Sequence, residues 1–203
     1  MGQRDIVVIA ASRGGFQVLK NLVGELPGDL PAAVFVVLHI GTHGSALPDL
    51  MAGWGPLKAR YAKHGDEVRR GTILVAPPDR HLVLSHGCAW LNTGPKEHFA
   101  RPAADPLFRS AAEHYGRRVV GVVLSGDLDD GAAGLAAIRA RGGFGIVQHP
   151  DDCESSAMPC NALDLAGADA VCPSAELARC IRNALQSASD DTAGAGSPLT
   201  FHP

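Results

Sequence analysis

Charge is scarce in this sequence. Only 19% of its 203 residues are Asp, Glu, Lys or Arg, and they nearly cancel, to a net charge of −3. That balance excludes the basic footprint of a nucleic-acid-binding domain and offers no attraction to an acidic membrane surface. Long apolar runs are missing as well. None approaches the ~20 residues that span a bilayer, and the N-terminus lacks a signal-peptide pattern. The expectation is a cytoplasmic protein that is not itself a membrane protein. Five cysteines (Cys88, Cys153, Cys160, Cys172 and Cys180) include no Cys-x-x-Cys pair. An odd number without that spacing predicts free thiols in a reducing compartment, neither a disulfide framework nor a zinc site. No internal repeat is present.

Hydrophobic residues, in contrast, make up 46% of the chain. The length suits one domain with a sizeable core. Near-continuous Val, Ile and Leu runs at 6–11, 33–40, 72–78 and 119–125 read as parallel strands covered on both faces, with further strands at 144–148 and 170–172. Helical patterns at 16–26, 105–116, 131–141, 156–167 and 174–187 alternate with them. The predicted fold is α/β, a doubly wound, mostly parallel sheet with helices on both faces. The segment "HLVLSHGCAWLN", two short strands around Ser-His-Gly, predicts an inserted β-hairpin. Residues 1–187 form the predicted domain. Residues 188–203, small, polar and Pro/Gly-containing, are expected to be a disordered tail.

Open α/β sheets bind ligands beyond the carboxyl ends of their strands. Ser12 follows the first strand, His39 ends the second, "SGDLDDG" (125–131) follows the strand at 119, and His149 follows the strand at 144. A serine, a histidine and an aspartate on one edge are the inventory of a nucleophile, a base and an orienting acid. With the first strand central, His39 lies one strand from Ser12 and His149 two, which favours His39 as base. Other readings stand beside these. Ser12 also suits an N-cap or a phosphate-cradling loop, and His39 alone suits a hydrogen-bonded core histidine. "AASRG" only approaches the G-x-S-x-G elbow and fails the dinucleotide G-x-G-x-x-G. His39 and His43 have Gly41 and Thr42 between them after a strand and no H-E-x-x-H, so no metal pair is expected. "DLDDG" fails the calcium-loop pattern at positions six and twelve. Asp127, Asp129 and Asp130 also suit a solvated turn capping the next helix.

Six segments in order ("VVIAASRGGFQVL", "VVLHI", "ILVAPPDRHLVL", "RPAADPLFRSAAEHYG", "VVLSGDLDDGAAGLAAI" and "MPCNALDLAGADAVCP") resemble the catalytic domain of CheB, the chemotaxis protein-glutamate methylesterase, over about residues 5–182. The resemblance implies a serine carboxylesterase that hydrolyses glutamate γ-methyl esters, and also deamidates glutamine, on a methyl-accepting chemoreceptor or similar helical protein. It implies no cofactor, metal or nucleic acid. It places the triad on Ser12, His39 and Asp130, and the oxyanion donors on the backbone N–H groups of Arg13 and Asp127, beside Gly14 and Gly15. Arg13 replaces the family's threonine. Asp127 and Leu128 stand where Met and Gly are usual. An Arg13–Asp127 ion pair over the site is the expected consequence. The chain starts at the first strand, so a stand-alone domain without the family's receiver domain is expected. Two other readings stay open: a CheB-like binding module impaired by Arg13 and Asp127, and an esterase or amidase with another substrate, since fold does not fix the leaving group.

Overall fold

The computed structural model describes residues 3–39 and 46–190, the last three by backbone alone. Its core strands are β1 (Ile6–Ala11), β2 (Ala33–Leu38), β3 (Lys58–Tyr61), β5 (Thr72–Val75), β8 (Val119–Val123), β9 (Phe144–Gln148) and β10 (Ala170–Cys172). They form one sheet in the order β10-β9-β8-β1-β2-β5-β3, and every neighbouring pair is parallel. Helices α1 (Gly15–Glu25), α2 (Leu47–Trp54), α3 (Ala104–Tyr115), α4 (Ala132–Ala140), α5 (Ala157–Ala166) and α6 (Leu177–Asp190) cover its faces. The doubly wound α/β fold expected from the strand runs is the observed one.

Strand alternation divides the core in two. Val7, Ile9 and Ala11 of β1 point to the side of Leu19 and Leu22 of α1, Met51 of α2 and Ile181 of α6. Ile6, Val8 and Ala10 point to the side of Phe108 of α3, Leu135 of α4 and Met158 of α5. Both faces of β1 are thus fully buried, which is why its sequence is apolar without a gap. The predicted hairpin is β6 (His81–Ser85) with β7 (Cys88–Asn92), joined by the short β4 (Asp66–Glu67) in a second, antiparallel sheet. It packs through Leu82, Leu84 and Ala89 into the second core.

Two expectations are corrected or bounded. The five free thiols are not all free: Cys172, at the end of β10, is disulfide-bonded to Cys180 of α6, with Cα atoms 7.2 Å apart. Tertiary approach of a strand end and a helix brings them together, which an eight-residue separation does not announce. Cys88, Cys153 and Cys160 are free. Helix α6 runs to Asp190, three residues into the expected tail. The rest of that tail, 191–203, lies outside the described residues, as does His43. No helix among the described residues is long and apolar enough to cross a membrane.

The order of strands fixes where a site can form. The chain runs from β1 to β2, out to the edge strand β3 and back to β5 between them, then crosses to β8 on the other side of β1 and continues to β9 and β10. The direction of winding reverses at β1, and the crevice at such a switch point lies beyond the carboxyl ends of the strands.

Candidate active site

Ser12, His39 and Asp130 all meet at that crevice. Ala11 of β1 is paired with Leu38 of β2, and the His39 N–H donates to the Ala11 carbonyl at 3.1 Å. Ser12 and His39, each one residue further on, therefore emerge side by side from adjacent strands, ~4.8 Å apart in backbone spacing. From the other side of β1, the loop after β8 brings Asp130 in. Nε2 of His39 stands 2.9 Å from Oδ2 of Asp130. The carboxylate lies off the N–H axis, so Nε2 has no well-aligned hydrogen bond; such contacts in empty sites commonly tighten only with substrate. His149, at the end of β9, is exposed and accepts from the Asp151 N–H of its own turn. The two-strand separation expected for it is the observed one.

The Asp130 side chain is 1% exposed and does two things. Its oxygens accept from the N–H groups of Ala104 (2.6 Å) and Asp105 (2.9 Å), which open α3, and Oδ2 also faces His39. Burial opposes its charge, but the His39 ring and these two donors outweigh it and hold the carboxyl below the ordinary aspartate value. Asp105 reciprocates. It accepts from Gly131 (3.1 Å) and Gly134 (2.7 Å) at the start of α4. Each buried carboxylate therefore sits at the positive end of the other's helix. Burial, together with repulsion from Asp130, raises the Asp105 carboxyl above its ordinary value. His98 supplies the counter-charge, with Nε2 2.8 Å from Asp105 and Nδ1 2.8 Å from Asp129.

The turn after Ser12 is built to hold it. Gly14 has φ +77°, and a Cβ there would fall 2.6 Å from Ser125 Oγ and 2.5 Å from Glu154 Cβ. A Cβ on Gly15 would lie 2.8 Å from that of Ala11. The Ser12 N–H donates to the Ser125 carbonyl at 3.0 Å. The Ser125 hydroxyl donates to the Arg13 carbonyl at 2.7 Å and accepts from the Ser155 N–H. Ser125 is in turn fixed by Gln148, whose Oε1 accepts its N–H at 2.9 Å. The backbone N–H groups of Arg13 and Asp127 donate to no protein acceptor among the described residues.

The Arg13 guanidinium lies 3.9 Å from Asp127 and 3.6 Å from Glu154, and all three side chains are more than half exposed. The contact is loose and shared, and Asp127 also accepts from the Ser155 hydroxyl. Its carboxylate is thus engaged on the α5 side of the crevice. Asp105, His98, Ser125, Gln148 and Glu154 were not singled out by the sequence. Only the "RPAAD" segment around Asp105 carried a signal, and it pointed to a family rather than to a role.

Comparison with known proteins agrees with this fold. A family model described as CheB methylesterase matches residues 7–181. The protein-glutamate methylesterase/protein-glutamine glutaminase 2 of Anaeromyxobacter dehalogenans is 41% identical over 182 residues, covering 88% of this chain and 52% of its own. That of Symbiobacterium thermophilum is 36% identical over 184 residues, covering 90% and 51%. The chain thus spans about half the length of the curated relatives it matches. The crystal structure of the Thermotoga maritima CheB methylesterase catalytic domain superposes with a TM-score of 0.82 at 28% identity, covering 92% of this chain and 99% of that one. The chain belongs to the CheB methylesterase family.

Proposed function

We propose that this chain is a serine carboxylesterase that hydrolyses glutamate γ-methyl esters on a helical chemoreceptor segment. The observation that carries the reading is the 2.9 Å approach of His39 to the buried, ionised Asp130, on the strand neighbouring Ser12. A base held by an anion beside a half-buried serine at a switch-point crevice is equipment for acyl transfer.

In this reading Ser12 attacks the ester carbonyl. His39 takes its proton and returns it to the departing methanol. Asp130 faces Nε2, which leaves Nδ1 as the nitrogen that serves Ser12. The free N–H groups of Arg13 and Asp127 hold the oxyanion; as backbone donors they survive the side-chain changes at both positions. A water, deprotonated by His39, then releases the glutamate carboxylate. Each step is an acyl or a proton transfer with no change of oxidation state, so side chains and water suffice. Glutamine deamidation follows the same path with ammonia leaving.

The test is methanol release from a methyl-esterified receptor-helix peptide. Wild type is expected to release it, and Ser12→Ala and His39→Ala to lose at least ~10³-fold. Release by wild type from small acyl esters but not from the peptide would instead establish an esterase of another substrate class. No release from either, with folded protein, would establish the binding module.

A further inference from the structure

We infer that His98 is a positioning residue for the esterase constellation: its imidazolium balances the carboxylates that crowd behind Asp130 and so keeps the base and its partner in their working protonation states. The inference deepens the esterase reading and rests on it.

The geometry is specific. His98 reaches in from the segment between the hairpin and α3. Nε2 bonds Asp105 and stands 3.9 Å from Oδ1 of Asp130, while Nδ1 bonds Asp129. Asp130 is thus flanked by two histidines, His39 on the crevice side and His98 behind. The backbone is contorted to achieve it, since His98 and Phe99 both take left-handed φ values (48° and 61°). The oxygen and nitrogen ligand atoms of Glu97, His98 and Asp105 lie within 4.8 Å of one another. That cluster does not read as a metal site, because both His98 nitrogens already bond carboxylates and Glu97 is held by Arg109 through both oxygens. The charged groups facing His98 are Asp105 and Arg109 of α3, Asp129 and Asp130 of the loop before α4, Glu97 of its own segment, and Asp164 of α5 across a 310 Å³ cavity. Acidic groups outnumber Arg109, and they hold the His98 ring protonated to higher pH than an ordinary histidine despite its burial. Without that cation, the charges of Asp105 and Asp129 would lie uncompensated behind Asp130, and the constellation would take up an unwanted proton at higher pH.

The experiment is kcat/KM against pH for wild type, His98→Gln, His98→Lys and Asp129→Asn, with the His39 ring titration followed by NMR in each. In His98→Gln the acid limb moves up by about one pH unit, and activity well below the limb falls about tenfold with the alkaline plateau retained. His98→Lys keeps the charge and returns the limb to its wild-type position. Asp129→Asn removes an exposed carboxylate, folds normally, and moves the limb down. A His98→Gln protein whose activity falls equally at all pH values, or whose melting temperature alone falls, overturns the inference. If wild type hydrolyses no ester, the esterase reading fails while the His39 titration still decides the role of His98: unshifted in both His98→Gln and Asp129→Asn, the inference fails too.

Discussion

Asp130→Asn separates the two duties of one carboxylate. In wild type Oδ1 accepts from Asp105 N–H, and Oδ2 accepts from Ala104 N–H while facing His39 Nε2. Asparagine keeps one acceptor and turns its NH₂ toward one of these donors, so one N–H at the start of α3 is stranded. An unsatisfied buried donor costs about 1–3 kcal/mol, and loss of the carboxylate at the helix N-terminus adds about 0.5–1 kcal/mol. Relief of repulsion with Asp105, whose carboxyl Asp130 pushes up, returns part of that. The net is a loss of about 1–3 kcal/mol, within the ~5–15 kcal/mol of a typical domain, so the variant folds. Catalysis loses more. If the NH₂ faces Nε2, that nitrogen must accept, the proton moves to Nδ1, and Nδ1 no longer serves as base. If the carbonyl faces it, the tautomer survives but the anion that stabilises the imidazolium is gone. A fall in kcat of about 10³–10⁴-fold is expected, worth about 4–5.5 kcal/mol of barrier. Thermal melts and methanol release on the same preparation read the two effects apart. A folded variant whose kcat stays within about tenfold of wild type would refute the assignment of Asp130 and the barrier arithmetic built on it.

Three further outcomes follow from the same geometry. Gly126→Ala would put a Cβ 2.1 Å from Met158 Sδ and 2.7 Å from Ser12 Cβ; the thioether can swing away but the strand end cannot, so kcat/KM falls at least ~10²-fold, with a stability loss of about 1–3 kcal/mol by urea titration. Leu128 occupies a left-handed conformation at φ 66° with its side chain exposed, where the family has glycine, so Leu128→Gly raises stability by about 0.5–1 kcal/mol in the same titration, the ~1–2 kcal/mol of strain relieved exceeding the entropy of the added glycine. Stability against pH, followed by thermal melts, has an acid and an alkaline arm. The depressed carboxyls of Asp130 and of Asp5, which Arg118 and Arg70 each bond at 2.8 Å and hold ionised against its burial, contribute stability above the ordinary aspartate value of 3.8 that is lost as pH falls through their lower folded values. The raised His98 contributes stability below its ordinary value of 6.5 that is lost as pH rises through the folded one. Asp105, with its raised carboxyl, opposes the acid arm. A melting temperature rising monotonically from pH 6 to 9 would contradict the alkaline arm.

What the sequence revealed depended on how local the physics was. β1, β7, β9 and β10 match their apolar runs residue for residue; for β1, and nearly so for β9, the reason is burial on both faces, which leaves no polar gap. β3 escaped notice: Lys58 and Arg60 face outward on the last strand of the sheet, where charge protects an edge and erases the apolar signal. α2 is short and enclosed by Pro48 and Gly55, so its helical period is too brief to register. Ser12 and His39 were legible because the ends of adjacent parallel strands are a predictable meeting place. Choosing Asp130 over Asp127 and Asp129 needed the family resemblance, since all three occupy one polar turn. The Asp105–His98 support and the Ser125–Gln148 brace were illegible for another reason. Ser125 meets Gln148, and His98 meets Asp129, across more than twenty residues of chain, and no local spacing encodes such approaches. His98–Asp105 and Cys172–Cys180 are only seven and eight residues apart, but each joins two different elements across a turn and follows no helical or strand period.

The central claim is that Ser12 is an activated nucleophile. Its direct measurement is labelling by a fluorophosphonate probe at neutral pH, read by intact mass and peptide mapping, on wild type, Ser12→Ala and His39→Ala. The account predicts one adduct per wild-type chain, mapped to Ser12, none on Ser12→Ala, and labelling slowed by at least ~10²-fold in His39→Ala. Folded wild-type protein that takes no label, or labels on another serine at an undiminished rate when Ser12 is absent, would contradict it.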